Sequence, residues 1–521
     1  MASEVMRPSR AGVCPVDLRS VSESKTGERA PKKSPKNKVI AALIPVAMFF
    51  ALVAWGFASP VGASPDDDYH LASIWCGLGD RAGLCEPAAQ ENQRRVPAAL
   101  LESSCFAFKD LESASCQAKI SDRLVTTKRG NFTGDYPPVY YGTLGIFAGP
   151  DINVSVLLMR AFNAFLFVGF ATALFLLMPR RIREIAVWPA AISVVPLGMF
   201  LIPSVNPSSW ALLSAAGVWV AVAGYFESRS RGRKIALGAI ALVLAVMGSG
   251  ARSDAAVYVG IAVVVAMVLT ARRSRNWITA AALPVVLVII ALAFFFSSGQ
   301  SGIADPTSAP SNDGSQNRLG LALHNLTLLP SLWAGVFGTW PLGWLDTPLP
   351  PIVWVPSLIV FGASVFVGLR VMNWRKAVSL ALVFGALILI PLYILVHDGV
   401  EVGVGVQPRY IFPLLIVLAG LAMWPVGGQS YILSGTQLGV IVVSLSIANA
   451  VALHTNIRRY VTGMDVGSIS LSNNAEWWWT LPFGPNWVWL AGSVFFGAGL
   501  SLLAYTIGRP ERRSELTVAA K

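Results

Sequence analysis

Residues 39–59 read VIAALIPVAMFFALVAWGFAS, and PVGASPDDDYH follows directly at 60–70. The first run is long enough to cross a bilayer as a helix, because about 20 apolar residues span the hydrocarbon core. Three consecutive aspartates and a histidine stand within a few residues of its end. The stretch therefore predicts a transmembrane helix that delivers a cluster of ionisable side chains to one membrane surface.

The rest of the chain repeats this apolar pattern. Of its 521 residues, 54% are hydrophobic and 13% are charged, and the mean hydropathy is +0.60, which differs from the composition of soluble globular proteins. A further segment, 326–345, is broken by Pro330 and Pro341 and is predicted to be re-entrant or interfacial. We predict an all-α polytopic membrane protein with twelve spans at 39–59, 153–178, 185–203, 209–226, 234–250, 255–271, 277–297, 352–372, 377–396, 409–426, 433–453 and 486–507.

The charge distribution predicts the orientation. If both termini are cytoplasmic, the cytoplasmic segments hold 26 of the 40 Lys and Arg residues but 8 of the 28 Asp and Glu residues. This asymmetry follows the positive-inside rule, so the net charge of +12 reflects topology and argues against nucleic-acid binding. We predict a multi-pass plasma-membrane domain at 39–507 between cytoplasmic tails at 1–38 and 508–521, the first of them disordered.

Three segments form the predicted outer surface: 60–150, 298–351 and 454–485. The first and largest contains four of the five cysteines, as expected for disulfides formed outside the cytoplasm. Their spacing favours the pairs Cys76–Cys85 and Cys105–Cys116, although four cysteines allow three connectivities. A zinc site is the alternative, but the spacings fit no common zinc pattern.

The acidic cluster after the first span has one structural and two chemical interpretations. Its carboxylates could cap the helix exit at the level of the lipid head groups. One of Asp66, Asp67 and Asp68 could instead act as a general base, with His70 beside it. The carboxylates could also bind a hard divalent cation such as Mg²⁺ or Mn²⁺. Because a helix exit rarely needs three carboxylates and an imidazole, we interpret these residues as candidate catalytic groups.

Arginines recur at the same predicted level of the membrane. Arg160 lies two turns inside its span, Arg252 lies in a short outer connection, and Arg409 precedes Tyr410 at the start of another span. Charges at such positions are costly unless they are paired or functional. An internal salt bridge is the alternative for each, but three guanidinium groups at one level favour a shared phosphate ligand. Asp346, at the outer end of the re-entrant segment, is a further candidate for substrate binding.

Six motifs occur in order along the chain: SPDDDYHLASIWCGLGDRAGLCEP, LLMRAFNAFLF, SVNPSSWA, GARSDAAVYV, LGWLDTPLPP and VQPRYIFPLL. Over roughly residues 39–505 they resemble an actinobacterial integral-membrane family catalogued as domain of unknown function 2142. The resemblance implies a GT-C-like fold, since that family is grouped with the GT-C glycosyltransferases. These enzymes take sugars from polyprenyl-phosphate carriers and have an acidic residue just after the first span, a position that Asp66–Asp68 match here.

The combined prediction is a glycosyltransferase that moves a sugar from a polyprenyl-phosphate donor to a cell-envelope glycan acceptor at the outer face. Asp67 would deprotonate the acceptor hydroxyl, and Arg409, with Arg252 or Arg160, would neutralise the departing phosphate. A transporter or flippase, or a non-catalytic assembly partner for an envelope lipid or polysaccharide, is the alternative. Charges in the outer half of the membrane and a large outer loop favour the enzyme, because transporter sites lie near the midplane.

Overall fold

The structure is a computed structural model that describes residues 35–272, 274–299, 318–427, 433–480 and 482–508. Nearly all of both predicted tails, and residues 300–317 of the predicted outer loop at 298–351, lie outside these ranges. The described chain is mostly helical, which confirms the predicted all-α polytopic fold. Its helices are α1 (Pro35–Phe57), α2 (Asp67–Trp75), α3 (Ala99–Glu102), α4 (Val139–Gly145), α5 (Ile152–Leu177), α6 (Trp188–Ala191), α7 (Leu197–Leu201), α8 (Ser208–Glu227), α9 (Arg231–Ser249), α10 (Ser253–Thr270), α11 (Arg275–Ala280), α12 (Ala282–Phe296), α13 (Arg318–Ala334), α14 (Pro351–Gly368), α15 (Trp374–Asp398), α16 (Pro408–Ala422), α17 (Gly435–Val461) and α18 (Pro485–Gly508).

Ten helices of the described chain are long and apolar enough to cross a membrane, and Ala41–Phe57 and α16 are shorter apolar helices. Eleven of the twelve predicted spans coincide with these helices. Helix α8 is buried along most of its length and forms the interior of the bundle, whereas α12 exposes most of its apolar surface. An exposed surface of that composition is the one that lipid tails cover.

The prediction of a continuous span at 185–203 is wrong. This stretch forms a 3-10 helix at Arg180–Ala186, followed by the short helices α6 and α7. Pro189 and Pro196 interrupt it because proline removes a backbone donor and clashes with the preceding turn. The broken backbone packs against α1, α8 and α16. Irregular backbone is tolerated at membrane depth where protein surrounds it in this way.

The predicted re-entrant segment at 326–345 comprises the end of α13, a π-helical turn at Gly335–Thr339 and the loop that follows. Gly338 supports the reversal with a φ of 102°. Before the reversal, Asn325 donates a 3.0 Å hydrogen bond to the loop after α15. After it, Trp344 donates a 2.8 Å hydrogen bond to the loop after α1. Both loops lie at one end of the bundle, so the contacts support a segment that enters and returns on the same side.

Residues 58–151 form a compact lobe at that end, which we call the lobe face of the bundle. The lobe contains α2, α3, α4 and an antiparallel sheet ordered β1 (Glu86–Pro87), β2 (Arg94–Pro97) and β3 (Leu124–Thr127). It also contains both predicted disulfides, Cys76–Cys85 and Cys105–Cys116. Each closes a short local segment, the first directly before β1 and the second between β2 and β3.

Candidate functional site

The three aspartates diverge because of how the chain enters α2. Asp66 precedes the helix in a left-handed conformation, with a φ of 60°, while Asp67 and Asp68 occupy its first turn. Successive residues of a helix point about 100° apart. The three carboxylates therefore face different partners, and their roles can be separated.

Asp66 lies between two arginines from distant parts of the chain. Arg409 Nη2 donates a 2.7 Å hydrogen bond to Asp66 Oδ2, and Arg129 Nη2 lies 3.4 Å from Asp66 Oδ1. Burial acts to raise the pKa of Asp66, but the charge of Arg409, helped by Arg129, lowers it overall. The carboxylate is therefore ionised at neutral pH, and 41% of its side chain remains exposed.

Asp67 is fully buried. Its Oδ2 accepts a 3.0 Å hydrogen bond from the backbone of Ser64, and its Oδ1 has no hydrogen-bond partner among the described residues. Burial raises the pKa of Asp67 to about 7, although the charge of Arg160 opposes the shift. A buried carboxyl group of this kind holds the turn before α2 and is enclosed by protein.

Asp68 and His70 are also engaged. Asp68 accepts hydrogen bonds of 2.8 and 3.0 Å from Arg129, a fork that ties the lobe to the start of α2. His70 Nδ1 lies 3.0 Å from the hydroxyl of Tyr141, and Tyr136 packs edge-on against the ring. Burial lowers the pKa of His70 to about 3, although Asp66 opposes the shift. His70 is thus a neutral part of an aromatic wall.

Two of the predicted arginines meet at Tyr410. The guanidinium of Arg252 lies 4.6 Å from the ring centroid and that of Arg409 lies 5.0 Å from it. Asp254 accepts two hydrogen bonds from Arg252, of 2.8 and 3.0 Å, so this arginine is already paired. Arg409 Nη2 also donates to the Tyr410 hydroxyl, at 3.0 Å. The stack of aromatic ring and cations positions Arg409 beside Asp66.

Arg409 retains unused hydrogen-bonding capacity. Only 5% of the residue is exposed, yet its Nε and Nη1 have no hydrogen-bond partner among the described residues. Buried guanidinium donors are normally satisfied, because an unpaired one loses its hydration without compensation. Arg409 also lines a cavity, open to solvent, whose other walls are largely apolar, including Leu197, Phe200, Trp340 and Leu345. The cavity thus combines an apolar wall with a guanidinium group that is paired with Asp66 and keeps two donors without a partner among the described residues.

The other two predicted substrate-binding residues lie elsewhere. Arg160 donates to the backbone oxygens of Gly56, Ser59 and Pro60, so it caps the end of α1. Asp346 accepts a 2.8 Å hydrogen bond from the buried Arg459. These contacts hold both side chains inside the protein, and neither residue lines the cavity. We therefore assign structural roles to Arg160 and Asp346.

Sequence reasoning missed Arg129 and Arg459. Arg129 is one of several basic residues of the lobe, and no spacing in the sequence marks it as the partner of Asp66. Arg459 lies beyond the predicted end of its span, in the predicted outer loop at 454–485. The sequence feature that could have pointed to it is the adjacent pair Arg458 and Arg459. The pair belongs to the last turn of α17, where both arginines are buried.

The divalent-cation interpretation of the aspartates has no geometric support. No group of three or more His, Cys, Asp or Glu side chains in the described ranges is arranged to hold a metal ion. Asp66 and Asp68 bind arginines, and Asp67 lies apart from both in the interior. We therefore derive no step that passes through a metal.

The match to a known protein family supports a membrane protein. A family model described as "Predicted membrane protein (DUF2142)" matches residues 49–418. The chain matches no curated protein sequence. Among solved structures, it is similar to ArnT from Cupriavidus metallidurans bound to undecaprenyl phosphate, with a TM-score of 0.43 and 13% identity over 92% of this chain and 79% of that chain.

Proposed function

The chain belongs to the DUF2142 family of predicted membrane proteins, and from this premise we propose that it is a glycosyltransferase that uses a polyprenyl-phosphate sugar. The acceptor would be a hydroxyl group of a cell-envelope glycan. The lobe face would lie on the outer side of the plasma membrane, where lipid-linked donors and envelope acceptors meet.

The observation that carries this proposal is the state of Arg409. Its Nε and Nη1 are buried without partners beside a cavity with largely apolar walls. A phosphate group supplies the missing acceptors, and a prenyl chain matches the apolar wall. Arg252 is held by Asp254, and Arg160 by backbone oxygens, so neither has the same capacity.

Asp66 is the carboxylate that we assign as general base. It is the aspartate whose side chain is both partly exposed and in contact with Arg409. A general base must first be able to reach the proton that it removes, whatever its pKa. Asp67 is fully buried. When the donor phosphate binds Arg409, its negative charge offsets the arginine charge and raises the pKa of Asp66. Donor binding would thereby make Asp66 a stronger base.

The proposed reaction is a single displacement. The acceptor oxygen attacks the anomeric carbon of the donor while Asp66 takes the hydroxyl proton. The bond between that carbon and the phosphate oxygen breaks, and the polyprenyl phosphate leaves with the bonding electrons. Arg409 stabilises the charge that develops on the leaving phosphate.

We expect Asp66→Asn to lower sugar transfer by about 10²–10⁴-fold without weakening donor binding, because it removes the proton acceptor and keeps the side-chain shape. Arg409→Lys should weaken polyprenyl-phosphate binding and lower turnover as well, because a lysine cannot reproduce the guanidinium donors. Transfer is measured with a panel of labelled polyprenyl-phosphate sugars and envelope membranes, and binding of polyprenyl phosphate by native mass spectrometry. Asp110→Asn, in the same lobe but outside the site, is the matched control.

Near-normal transfer by the Asp66→Asn protein, at normal abundance, would refute the assignment of Asp66. If polyprenyl phosphate binds through Arg409 but no sugar is transferred from any donor, the enzyme proposal fails. That result would favour the transporter or assembly-partner alternative.

A further inference from the structure

Asp66 is exposed on a surface other than the cavity beside Arg409. Its side chain is 41% exposed, yet it does not line that cavity, whereas its neighbour Pro65 does. Of its two guanidinium partners, Arg409 is buried and Arg129 has 47% of its side chain exposed. Solvent therefore reaches Asp66 from the side of Arg129, on the surface of the lobe.

Three side chains continue this surface away from Asp66. The guanidinium of Arg129 lies 5.6 Å from the ring centroid of Tyr69, and the Tyr69 hydroxyl donates a 3.3 Å hydrogen bond to Asp135. Arg129 and Asp135 are exposed, and Tyr69 is half-buried between them. We call Asp66, Arg129, Tyr69 and Asp135 the lobe strip. Of these four residues, none lines the cavity beside Arg409.

The lobe holds the strip in position. The side chain of Asn131 makes two 2.8 Å hydrogen bonds with the backbone of Tyr136, which closes the turn that carries Asp135. The backbone N–H of Asn131 donates to Ser73 Oγ at 2.8 Å and so attaches this turn to α2. A ligand would therefore meet an ordered surface, which limits the conformational entropy lost on binding.

Arg129 keeps donor capacity on the exposed side. Its Nε and Nη2 contact Asp68 and Asp66, whereas its Nη1 makes no hydrogen bond to any residue in the described ranges. A guanidinium group can only donate, and an ionised carboxylate can only accept. A ligand that contacts both kinds of group must therefore donate and accept. Hydroxyl groups do both, whereas phosphates and carboxylates only accept and ammonium groups only donate.

The charge of the strip favours a neutral ligand. The carboxylates of Asp66, Asp68 and Asp135 lie around the single guanidinium of Arg129 and the ring that it covers. Arg409 offsets the charge of Asp66, but in the proposed reaction it binds the donor phosphate. The remaining charge is negative, so an anionic ligand would be repelled.

Tyr69 supplies the aromatic part of the strip. Its ring packs against that of Tyr136, with the centroids 5.6 Å apart, so its orientation is fixed. A tyrosine presents an apolar body and a polar tip. A sugar ring is complementary to such a surface, because its C–H faces are apolar and its edge carries hydroxyl groups.

We propose that the lobe strip binds the acceptor and that the acceptor residue is a neutral sugar, an inference that rests on the proposed function. The reacting hydroxyl donates its proton to Asp66, and a neighbouring hydroxyl accepts a hydrogen bond from Arg129. Another hydroxyl of the acceptor donates to Asp135. The donor and the acceptor then approach the pair of Asp66 and Arg409 from different sides, as a displacement at the anomeric carbon requires.

The binding test uses the full-length protein in a detergent without a sugar head group and saturation-transfer-difference NMR. The probes are neutral pentose and hexose oligosaccharides, and each hexose oligomer is paired with the oligomer of the corresponding uronic acid. We expect at least one neutral oligosaccharide to bind. Arg129→Gln should weaken its binding by about tenfold, because the substitution removes a charge-assisted hydrogen bond.

The charge of the ligand gives a second readout. At neutral pH and low ionic strength, we expect a uronate oligomer to bind about fivefold more weakly than its neutral counterpart. Asp135→Asn should narrow this difference, because it removes a repelling charge from an exposed position. Arg123→Gln is the matched control, since Arg123 is an exposed arginine of the same lobe that pairs with Glu102. Thermal unfolding of each variant shows that the fold is retained.

Unchanged sugar binding by Arg129→Gln, equal losses from Arg123→Gln and Arg129→Gln, or a preference for uronates would overturn the inference. So would a failure of every neutral oligosaccharide to bind. In the transfer assay, Arg129→Gln should raise the KM for the acceptor and leave polyprenyl-phosphate binding unchanged. If the wild type transfers sugar but this KM does not change, the inference fails and the proposed function stands. Absence of transfer by the wild type from any donor refutes both.

Discussion

The carboxyl group of Asp67 is removed from solvent, while the aspartates on either side of it bind arginines. Its pKa is raised to about 7 from an ordinary value of 3.8. Between these two values the folded protein keeps a proton that the unfolded chain loses. The contribution of Asp67 to the free energy of unfolding is therefore greatest below about pH 4 and is lost as the pH rises through 7, by up to ~4 kcal/mol.

Asp67→Asn should remove this pH dependence, because the amide is neutral at every pH and can still accept the hydrogen bond from Ser64. We expect the variant to be more stable than the wild type at pH 8, by a smaller margin at pH 5, and close to it at about pH 4. Thermal unfolding in detergent at several pH values measures the difference. Asp122→Asn, an exposed carboxylate of the same lobe, controls for the loss of one charge. A stability difference that stays constant from pH 5 to pH 8 would contradict the assignment.

At the residue scale, the sequence predicted that several charged side chains gather at one end of the bundle, but it did not predict their partners. Asp66, Arg252, Arg409 and Tyr410 do meet in one site. The choice of Asp67 as base could not be improved from sequence, because burial of neighbouring aspartates depends on the left-handed turn at Asp66. Assignment of these residues to catalysis stays a prediction.

Helix α17 illustrates the element scale. It was predicted to end near residue 453, but it continues to Val461 and leads Arg459 into the lobe. There Arg459 donates to the backbone oxygens of Phe106 and Lys109, at 2.9 and 2.8 Å, and pairs with Asp346. A hydropathy pattern detects only the apolar part of a helix. It therefore does not predict a polar extension of the helix that another part of the chain covers.

We expect Arg459→Met to destabilise the protein by about 3–5 kcal/mol, because it leaves Asp346 buried without its partner. The double variant Arg459→Met/Asp346→Asn should recover part of this loss, since no unpaired charge then remains. Thermal unfolding in detergent gives both values. Equal stability of the single and double variants would show that the ion pair is not the cause.

The broken segment at 185–203 shows the opposite error, because here an apolar stretch does not form a continuous helix. Its mean composition is apolar, so it was predicted as a span, although prolines at 189 and 196 interrupt it. The composition of a segment shows how apolar it is. Whether its helix is continuous depends on each backbone N–H group, and proline lacks one. The irregular segment is possible here because α1, α8 and α16 surround it.

The orientation of the whole molecule is still a prediction. A cysteine introduced at Glu91 in the lobe should react with a membrane-impermeant maleimide in intact cells, with Cys14 replaced by serine. A cysteine at Arg229, after α8 at the opposite end, should react only after permeabilisation. Both positions are exposed, so access to the reagent is determined by the membrane. The reverse labelling pattern would invert the topology and with it the proposed side of sugar transfer.

The contact between Arg409 and Asp66 joins residues 343 positions apart. At about 5–20 residues per second, a ribosome delivers Arg409 roughly 20–70 s after Asp66. If the lobe face has the predicted outer orientation, the lobe can be translocated and oxidised in that interval. Arg129 is then the cation next to Asp66 until Arg409 has been synthesised. Helix α1 also packs against α18, the last helix of the described chain, so these contacts form only after α18 has been synthesised. A nascent chain that stalls before α16 would therefore be inserted and disulfide-bonded but would lack Arg409. A chaperone or protease that recognises only a misfolded lobe would not remove such a chain.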